Sequence, residues 1–106
     1  MPKYLIKARY TTEGLKGLKE DSGTRRKESV AHALTSVGGK LEEMYFALGE
    51  EDVFIIAEAP DTAAIAAIGF AAGVTGTVRT ETVALLTPEE MDKALKHKVS
   101  FRAAGR

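Results

Sequence analysis

The sequence predicts an α+β domain built on a four-stranded antiparallel sheet. Two apolar segments near the middle of the chain, residues 44–48 and 53–57, are joined by the acidic turn of residues 49–52, which predicts an antiparallel hairpin. Elsewhere, stretches in which apolar residues recur at every second position alternate with stretches in which they recur at helical spacing. The chain has 106 residues, which suits one domain with a modest core.

The first part of the chain predicts one strand followed by two helical segments. Residues 3–10 alternate along the chain, with Lys7 and Arg9 on one side, as in a strand with one buried face. Residues 13–20 favour a short helix after a threonine cap. A longer helix is predicted over residues 25–37, because its apolar residues form one stripe and a glycine pair follows it.

The hairpin supplies the second and third strands, over residues 40–48 and 53–59. The third strand is apolar at every position before Glu58, so we expect both of its faces to be buried. In this topology the third strand lies at the centre of the sheet, and helices cover only one sheet face. The other face therefore needs a cover, and we expect a second subunit there.

The second half of the chain predicts a helix, a strand and a final helix. The helix over residues 62–72 has almost no polar side, which is typical of a helix that is buried all round. A strand rich in threonine and valine is predicted over residues 77–86. The last helix runs to about His97, because Thr87 can cap it, a proline follows the cap, and Glu90 completes a capping box.

The predicted order is βαββαβ with an extra C-terminal helix, which is the ferredoxin-like sandwich. We expect residues 1–97 to form this domain and residues 98–106 to form a basic tail. Because the third strand and the alanine-rich helix both lack a polar side, we expect a homo-oligomer, either a dimer or a larger assembly. The alternative is a helix that leaves one apolar face exposed.

Composition narrows the possible partners. Fifteen basic and fifteen acidic residues cancel, which gives no general reason to expect nucleic acid or a membrane as partner. Cysteine is absent, which excludes a disulfide and a thiolate metal site and fits a cytoplasmic location. The longest uncharged run, residues 62–78, contains three glycines and three threonines and falls short of a membrane span. No nucleotide-binding or catalytic motif is present, so we expect no cofactor.

Charged residues on neighbouring predicted strands are the candidate ligand-binding residues. They are Lys7, Arg9, Glu58, Arg79 and Glu81. On a covered face these charges need partners, because a lone buried charge is costly. One interpretation is an ion-pair network within or between subunits. The other is a polar pocket for a small polar or anionic metabolite. Arg79, with Thr80 and Thr82, is the best polar cluster for this role, because arginine can bind a carboxylate or a phosphate bidentately.

The acidic hairpin and the two histidines give no strong metal signal. We expect Gly49 and Asp52 to serve the turn, Gly49 through a positive φ and Asp52 through hydrogen bonds to nearby backbone amides. The carboxylates around the hairpin could bind a hard divalent ion, but their spacing matches no calcium loop, and a solvated acidic tip is preferred. His32 and His97 lack a second histidine at metal-binding spacing, so no metal is expected.

Several short phrases occur in the order and spacing of one known family. They are TEG at residues 12–14, GGKL at 38–41, FALGEEDV at 46–53, AEAPD at 57–61 and VRTET at 78–82. On these phrases the chain resembles GYD-domain proteins over about residues 2–95. Family members typically carry Gly-x-Tyr-Asp at the hairpin; here Gly49 and Asp52 match, and Glu51 stands at the tyrosine position. The resemblance implies a ferredoxin-like domain that assembles as a dimeric α+β barrel or a larger oligomer, and it supplies no catalytic residues.

Three functions remain open at this point. The first is an oligomeric module that binds or senses a small polar metabolite. The second is a structural or protein-interaction role, which the apolar helix favours. The third is a cofactor-free enzyme of the dimeric α+β-barrel type, such as an isomerase or a monooxygenase-like protein. It would require a tyrosine, His32 or Glu58 to meet in one pocket as acid or base.

Overall fold

Four strands and four helices follow one another in the predicted order. The computed structural model describes residues 1–106, and its elements are β1 (Lys3–Tyr10), α1 (Thr12–Asp21), α2 (Gly23–Ser36), β2 (Lys40–Phe46), β3 (Val53–Glu58), α3 (Thr62–Gly73), β4 (Val78–Leu85) and α4 (Pro88–Lys96). The strands form one antiparallel sheet in the order β2-β3-β1-β4, with β1 paired to both β3 and β4. The predicted α+β fold, with its ferredoxin-like arrangement of strands and helices, is confirmed.

The hydrophobic core lies between the sheet and the helices. Alternate residues of the two central strands are buried on the helix side, as the two-residue period of a strand requires; they are Tyr4, Ile6, Ala8, Val53, Ile55 and Ala57. Leu34 of α2 and Ile65 of α3 pack against them. On the other side of β3, Phe54 and Ile56 are half-buried in the single chain. The expected burial of β3 is therefore complete on one face only.

Side-chain caps set the starts of the helices. Ser22 separates α1 from α2, because its φ of 139° is a value that L-residues rarely adopt, and its hydroxyl accepts a hydrogen bond from the Arg25 N–H. Asp61 caps α3 through its carboxylate. The predicted capping box of α4 is confirmed, since the side chains of Thr87 and Glu90 each accept a hydrogen bond from the other's backbone N–H.

Glycine is required where α1 meets the start of β4, but not at the hairpin. A Cβ atom on Gly14 would lie 1.9 Å from the carbonyl oxygen of Thr77, so only glycine allows α1 to approach this closely. The expectation of a positive φ at Gly49 is wrong. No atom lies within 4 Å of the place where a Cβ of Gly49 would be, and nothing in the structure explains the glycine there.

The alanine-rich helix α3 is covered on one side only. Ile65 is buried against the sheet, whereas Phe70 is 76% exposed and Val74, just after the helix, is 84% exposed. The expectation that this helix is buried all round is not met within one chain, because a two-layer domain offers α3 only the sheet to pack against. A neighbouring subunit on its outer side stays a prediction.

Helix α4 projects away from the rest of the domain. It makes no extensive contact with another element, and the tail that follows it, residues 98–106, contains no helix or strand. Leu95 in α4 and Phe101 in the tail are 75% and 84% exposed. The radius of gyration is 16.7 Å, whereas about 13 Å is expected for a compact chain of this length. Residues 86–106 therefore form an extended C-terminal arm with exposed apolar side chains.

Candidate functional site

The sheet face that the helices leave uncovered, called the open face below, carries the predicted charged residues. Lys7 and Arg9 lie on it because they alternate with the buried residues of β1. The antiparallel pairing of β1 with β4 places Lys7 opposite Glu81 and Arg9 opposite Arg79. Four of the five candidate residues therefore lie close together, as two adjacent cross-strand pairs on the same face of the sheet.

Lys7 is held in an ion pair across the two strands. Its Nζ lies 3.0 Å from Oε1 of Glu81. The hydrogen bond to Glu81, with the attraction of the same carboxylate, holds the pKa of Lys7 above its usual value. Because the Glu81 side chain is 67% exposed, water screens this pair, and its contribution to stability is small. Its main effect is to fix the position of the Lys7 ammonium group.

Arg9 is held by the acidic hairpin that joins β2 to β3. Its Nη2 lies 3.1 Å from Oε1 of Glu50 and 3.4 Å from Oε1 of Glu51. The side chain of Glu50 is 84% exposed, but that of Glu51 is only 21% exposed. The preferred interpretation of a solvated acidic tip therefore fits Glu50 and does not fit Glu51, which turns back over the open face.

Arg79 is the cation of this region that has no carboxylate partner. The neighbouring carboxylates pair with Lys7 or Arg9, and none lies within salt-bridge distance of the Arg79 guanidinium. Arg79 also stands directly opposite Arg9. Like charges directly opposite one another destabilise a sheet. The arrangement therefore places the unpaired guanidinium of Arg79 opposite the paired guanidinium of Arg9.

These side chains line a shallow cavity of about 240 Å³, called the polar cavity below. Its lining consists of Lys7, Arg9, Glu51, Arg79, Thr80 and Glu81, and none of these residues is hydrophobic. Guanidinium and ammonium groups offer several charged donors, and the two carboxylates offer acceptors. A small anion that also carries hydroxyl or amino groups would complement such a lining.

Glu58, the fifth candidate residue, does not join the polar cavity. It pairs in register with Lys3 at the other end of β1, and its Oε1 lies 4.0 Å from the Lys3 Nζ. Lys3 also donates a hydrogen bond to Glu42 of β2, which raises the pKa of Lys3 and lowers that of Glu42. Because Lys3 and Lys7 are four residues apart on one strand, roughly 13 Å separates the two ion-pair groups.

Asp52 joins the hairpin to β1 and also closes the turn, because its backbone carbonyl accepts a hydrogen bond from the Ala47 N–H at 2.8 Å. Its Oδ2 accepts a hydrogen bond of 2.8 Å from the backbone N–H of Tyr10, and its own N–H donates to the carbonyl of Ala8 at 2.9 Å. The expectation that Asp52 serves the turn therefore holds for its backbone carbonyl, whereas its carboxylate binds the amide of a residue 42 positions away in the chain. The β1–β3 pairing ends at Ala8 and Val53. Beyond that point the Asp52 carboxylate accepts the Tyr10 N–H, as a backbone carbonyl of β3 would if the strand continued.

The structure contains no group of three or more histidine, cysteine or acidic side chains arranged to hold a metal ion. The carboxylates around the hairpin bind protein groups instead: Glu42 pairs with Lys3, Glu50 and Glu51 pair with Arg9, and Asp52 binds a backbone amide. His32 is exposed on α2, in the helix layer, whereas Glu58 lies on the open face. These two possible acid–base residues are therefore on opposite sides of the sheet.

Sequence reasoning missed one residue of the polar cavity, Glu51. Glu51 occupies the motif position at which the GYD pattern has tyrosine, and that departure was a usable signal for its importance. Of the two threonines grouped with Arg79 in the sequence, Thr80 lines the polar cavity and Thr82 does not. Glu51 is far from Arg79 in the chain, so only the tertiary structure brings it to this cavity.

Comparison with known proteins identifies a family and no closer relative. The sequence model of the GYD domain matches residues 4–95. No curated protein and no solved structure gives a significant match. None of the helices has both the length and the apolar character needed to cross a membrane. Since the matched segment spans all four strands and most of α4, the chain belongs to the GYD domain family.

Proposed function

We propose that the protein is an oligomeric module that binds a small anionic metabolite in the polar cavity. The observation that carries this proposal is the cross-strand pair of Arg9 and Arg79, in which only Arg9 has carboxylate partners. A bound carboxylate or phosphate would supply the missing negative charge. It would remove the repulsion between the two guanidinium groups and could accept two hydrogen bonds from Arg79.

The anionic part of the ligand is expected to lie against Arg79, and a polar part is expected to face Glu51 and Glu81. Those two carboxylates disfavour non-specific anion binding, because they repel a ligand that is negatively charged throughout. They favour a ligand in which hydroxyl or amino groups accompany one acidic group. This combination is the ground for proposing a metabolite rather than a simple inorganic ion as the natural ligand.

Assembly would complete this site. In the single chain the polar cavity is open to water, which weakens every charge–charge interaction in it. The open face also carries half-buried apolar residues, Leu5, Phe54 and Ile56, and the outer side of α3 and the C-terminal arm are exposed and apolar. A second subunit over the open face would bury the apolar residues and exclude water from the cavity.

A titration with small anions tests the ligand proposal. Glycolate and lactate, which each carry one carboxylate and one hydroxyl group, are titrated into the protein and followed by calorimetry and by backbone NMR shifts. Arg79→Gln is expected to weaken binding about tenfold or more, because it removes a charge-assisted bidentate contact. Arg102→Gln, an exposed arginine of the tail, is the matched control and should bind as the parent does. Equal affinity in the parent and in Arg79→Gln, or absence of binding by both anions, would contradict the proposal.

A protein-interaction role is the second candidate, and the exposed apolar surface of α3 and the C-terminal arm favours it. The two roles differ in what assembly does to those surfaces. Native mass spectrometry of the gently purified protein separates them, since it reports subunit number and retained small molecules together. An oligomer with bound small mass supports the ligand role, whereas a ligand-free oligomer that still exposes α3 supports interaction. An enzyme that uses His32 with Glu58 has less support, because the sheet separates these groups.

A further inference from the structure

A second cavity lies on the helix side of the sheet, where α2 and α3 pack over the central strands. We call it the α2–α3 cavity. Its volume is about 260 Å³, and twelve of its fifteen lining residues are hydrophobic. The space exists because small side chains stand where the two helices would otherwise fill it: Ala33 on α2, and Ala71 and Ala72 on α3. The cavity is partly open to solvent, since Ser29 and Ala71 in its lining are exposed, and it reaches down to the core residues of the sheet.

Three polar side chains interrupt the apolar lining. They are Arg26 and Ser29 of α2 and Thr80 of β4. The Nε of Arg26 is buried and has no hydrogen-bond partner, although the side chain as a whole is 36% exposed. The guanidinium reaches only one carboxylate, that of Asp21, at 3.8 Å. A buried donor without a partner is rare in folded proteins and points to a missing acceptor.

The hydroxyls of Ser29, which is exposed, and Thr80, which is half-buried, also line the cavity. Thr35 and Ser36, further along α2, bond back to carbonyls of their own helix. The cavity therefore combines an apolar body with a small cluster of polar groups, one of which carries a positive charge. This combination is the usual composition of a small-molecule site.

We propose that the α2–α3 cavity binds a small molecule with an apolar body and a single carboxylate. The apolar body would lie among the alanines and the core residues of the sheet, and the carboxylate would accept hydrogen bonds from Arg26 and a neighbouring hydroxyl. An apolar cavity of about 150 Å³ is already enough to hold benzene, so the larger volume here admits a ring with a short acidic arm. A phosphate dianion fits less well, because one arginine among apolar walls leaves much of its charge unpaired.

This proposal stands apart from the proposed function. The polar cavity and the α2–α3 cavity lie on opposite faces of the sheet, and of the residues that line them only Thr80 is shared. Arg79 belongs to the polar cavity and Arg26 to the α2–α3 cavity. Variants of these two arginines therefore separate failure of one proposal from failure of the other.

The test uses phenylacetate as the probe and phenylacetamide as its neutral counterpart, both titrated into the full-length protein by calorimetry and two-dimensional NMR. Phenylacetate is expected to bind and to shift the signals of residues around Ala33 and Ala72. Arg26→Gln is expected to weaken phenylacetate about tenfold or more and to leave phenylacetamide unchanged. Arg25→Gln is the matched control, because Arg25 also pairs with Asp21 but is 73% exposed and does not line the cavity. Arg79→Gln should bind phenylacetate as the parent does.

Filling the cavity supplies an independent readout. Ala72→Leu is expected to abolish binding of both probes, whereas Ala63→Leu, at an exposed position of the same helix outside the cavity, should retain it. Ala33→Leu serves if Ala72→Leu fails to give a folded NMR spectrum. Binding that survives in a folded cavity-filling variant overturns the proposal. It is also overturned if neither phenylacetate nor octanoate binds the parent protein. If the parent protein binds neither probe and Ala72→Leu changes the number of subunits, the cavity is instead a contact between copies of the chain.

Discussion

The hydrogen bond between Asp52 and the backbone of Tyr10 yields the sharpest prediction about stability. Asp52 accepts the Tyr10 N–H at 2.8 Å in a partly buried position. Asp52→Ala removes the acceptor and leaves that N–H unpaired beside the end of β1. A hydrogen bond to a charged group contributes about 1.5–3 kcal/mol, and an unpaired buried donor costs a similar amount. We therefore expect Asp52→Ala to lower the free energy of unfolding by about 1.5–3 kcal/mol.

The assay is urea unfolding together with thermal unfolding, with Asp52→Asn and Glu50→Ala as comparison variants. For a domain of this length the expected loss corresponds to a fall in Tm of roughly 7–14 °C. Asp52→Asn keeps an acceptor oxygen and should lose less than about 1 kcal/mol. Glu50→Ala removes an exposed partner of Arg9 and should stay within about 0.5 kcal/mol of the parent.

Asp52→Ala should also disturb the polar cavity, because Asp52 anchors the hairpin whose Glu51 pairs with Arg9. The Arg9 guanidinium signals in NMR spectra should therefore broaden or shift in Asp52→Ala and much less in Asp52→Asn. The reasoning fails if Asp52→Ala unfolds within about 0.5 kcal/mol of the parent, or if Asp52→Asn is as damaging as Asp52→Ala. Either result would mean that the hairpin is held to β1 by other contacts.

Two further predictions concern packing and pH. Gly14→Ala is expected to lower the free energy of unfolding by more than about 2 kcal/mol, since its Cβ would lie 1.9 Å from the Thr77 carbonyl oxygen. Gly17→Ala, whose Cβ would have no atom within 4 Å, should raise it by about 0.5–1 kcal/mol. Chemical unfolding measures both variants, and equal effects would contradict the packing argument. The raised pKa of Lys7 means that its pairing with Glu81 stabilises the fold fully below pH 10.5, the usual lysine value, and loses this effect as the pH rises through the higher pKa of the folded protein. The difference in stability between the parent and Glu81→Gln should therefore be constant at neutral pH and disappear in strong alkali; a difference that persists there would exclude Lys7 as its source.

The glutamate at the family's tyrosine position changes what this site can do. A tyrosine would offer a ring and a neutral hydroxyl, but Glu51 places a carboxylate 3.4 Å from the Arg9 guanidinium. The pair neutralises Arg9 and leaves Arg79 as the free cation. The departure from the family pattern therefore leaves the free positive charge on β4 rather than on β1, which assigns the proposed anion-binding role to Arg79 alone.

Local patterns were enough to predict the elements and their order. The alternation in β1, the capping box around Thr87 and the apolar stripe of α2 are each set by a few neighbouring residues, so they can be read along the chain. The order of these elements predicted the ferredoxin-like arrangement, and the strand order of the sheet fits it. The separation of Glu58 from the other four candidates could not be read in this way. It depends on the register of β1 with β3, which places Glu58 opposite Lys3 and not near Lys7.

The sequence by itself determined that this is an α+β domain of the GYD family with charged residues on its central strands and an unusually apolar third helix. Only the tertiary structure decided which charges meet, that the Asp52 carboxylate binds β1, and that a cavity lined by Arg26, whose Nε has no hydrogen-bond partner, opens between α2 and α3. The physical reason is the range of the interactions. Capping and periodicity act within a few residues, whereas an ion pair, a void and an orphaned donor depend on how segments far apart in the chain are packed.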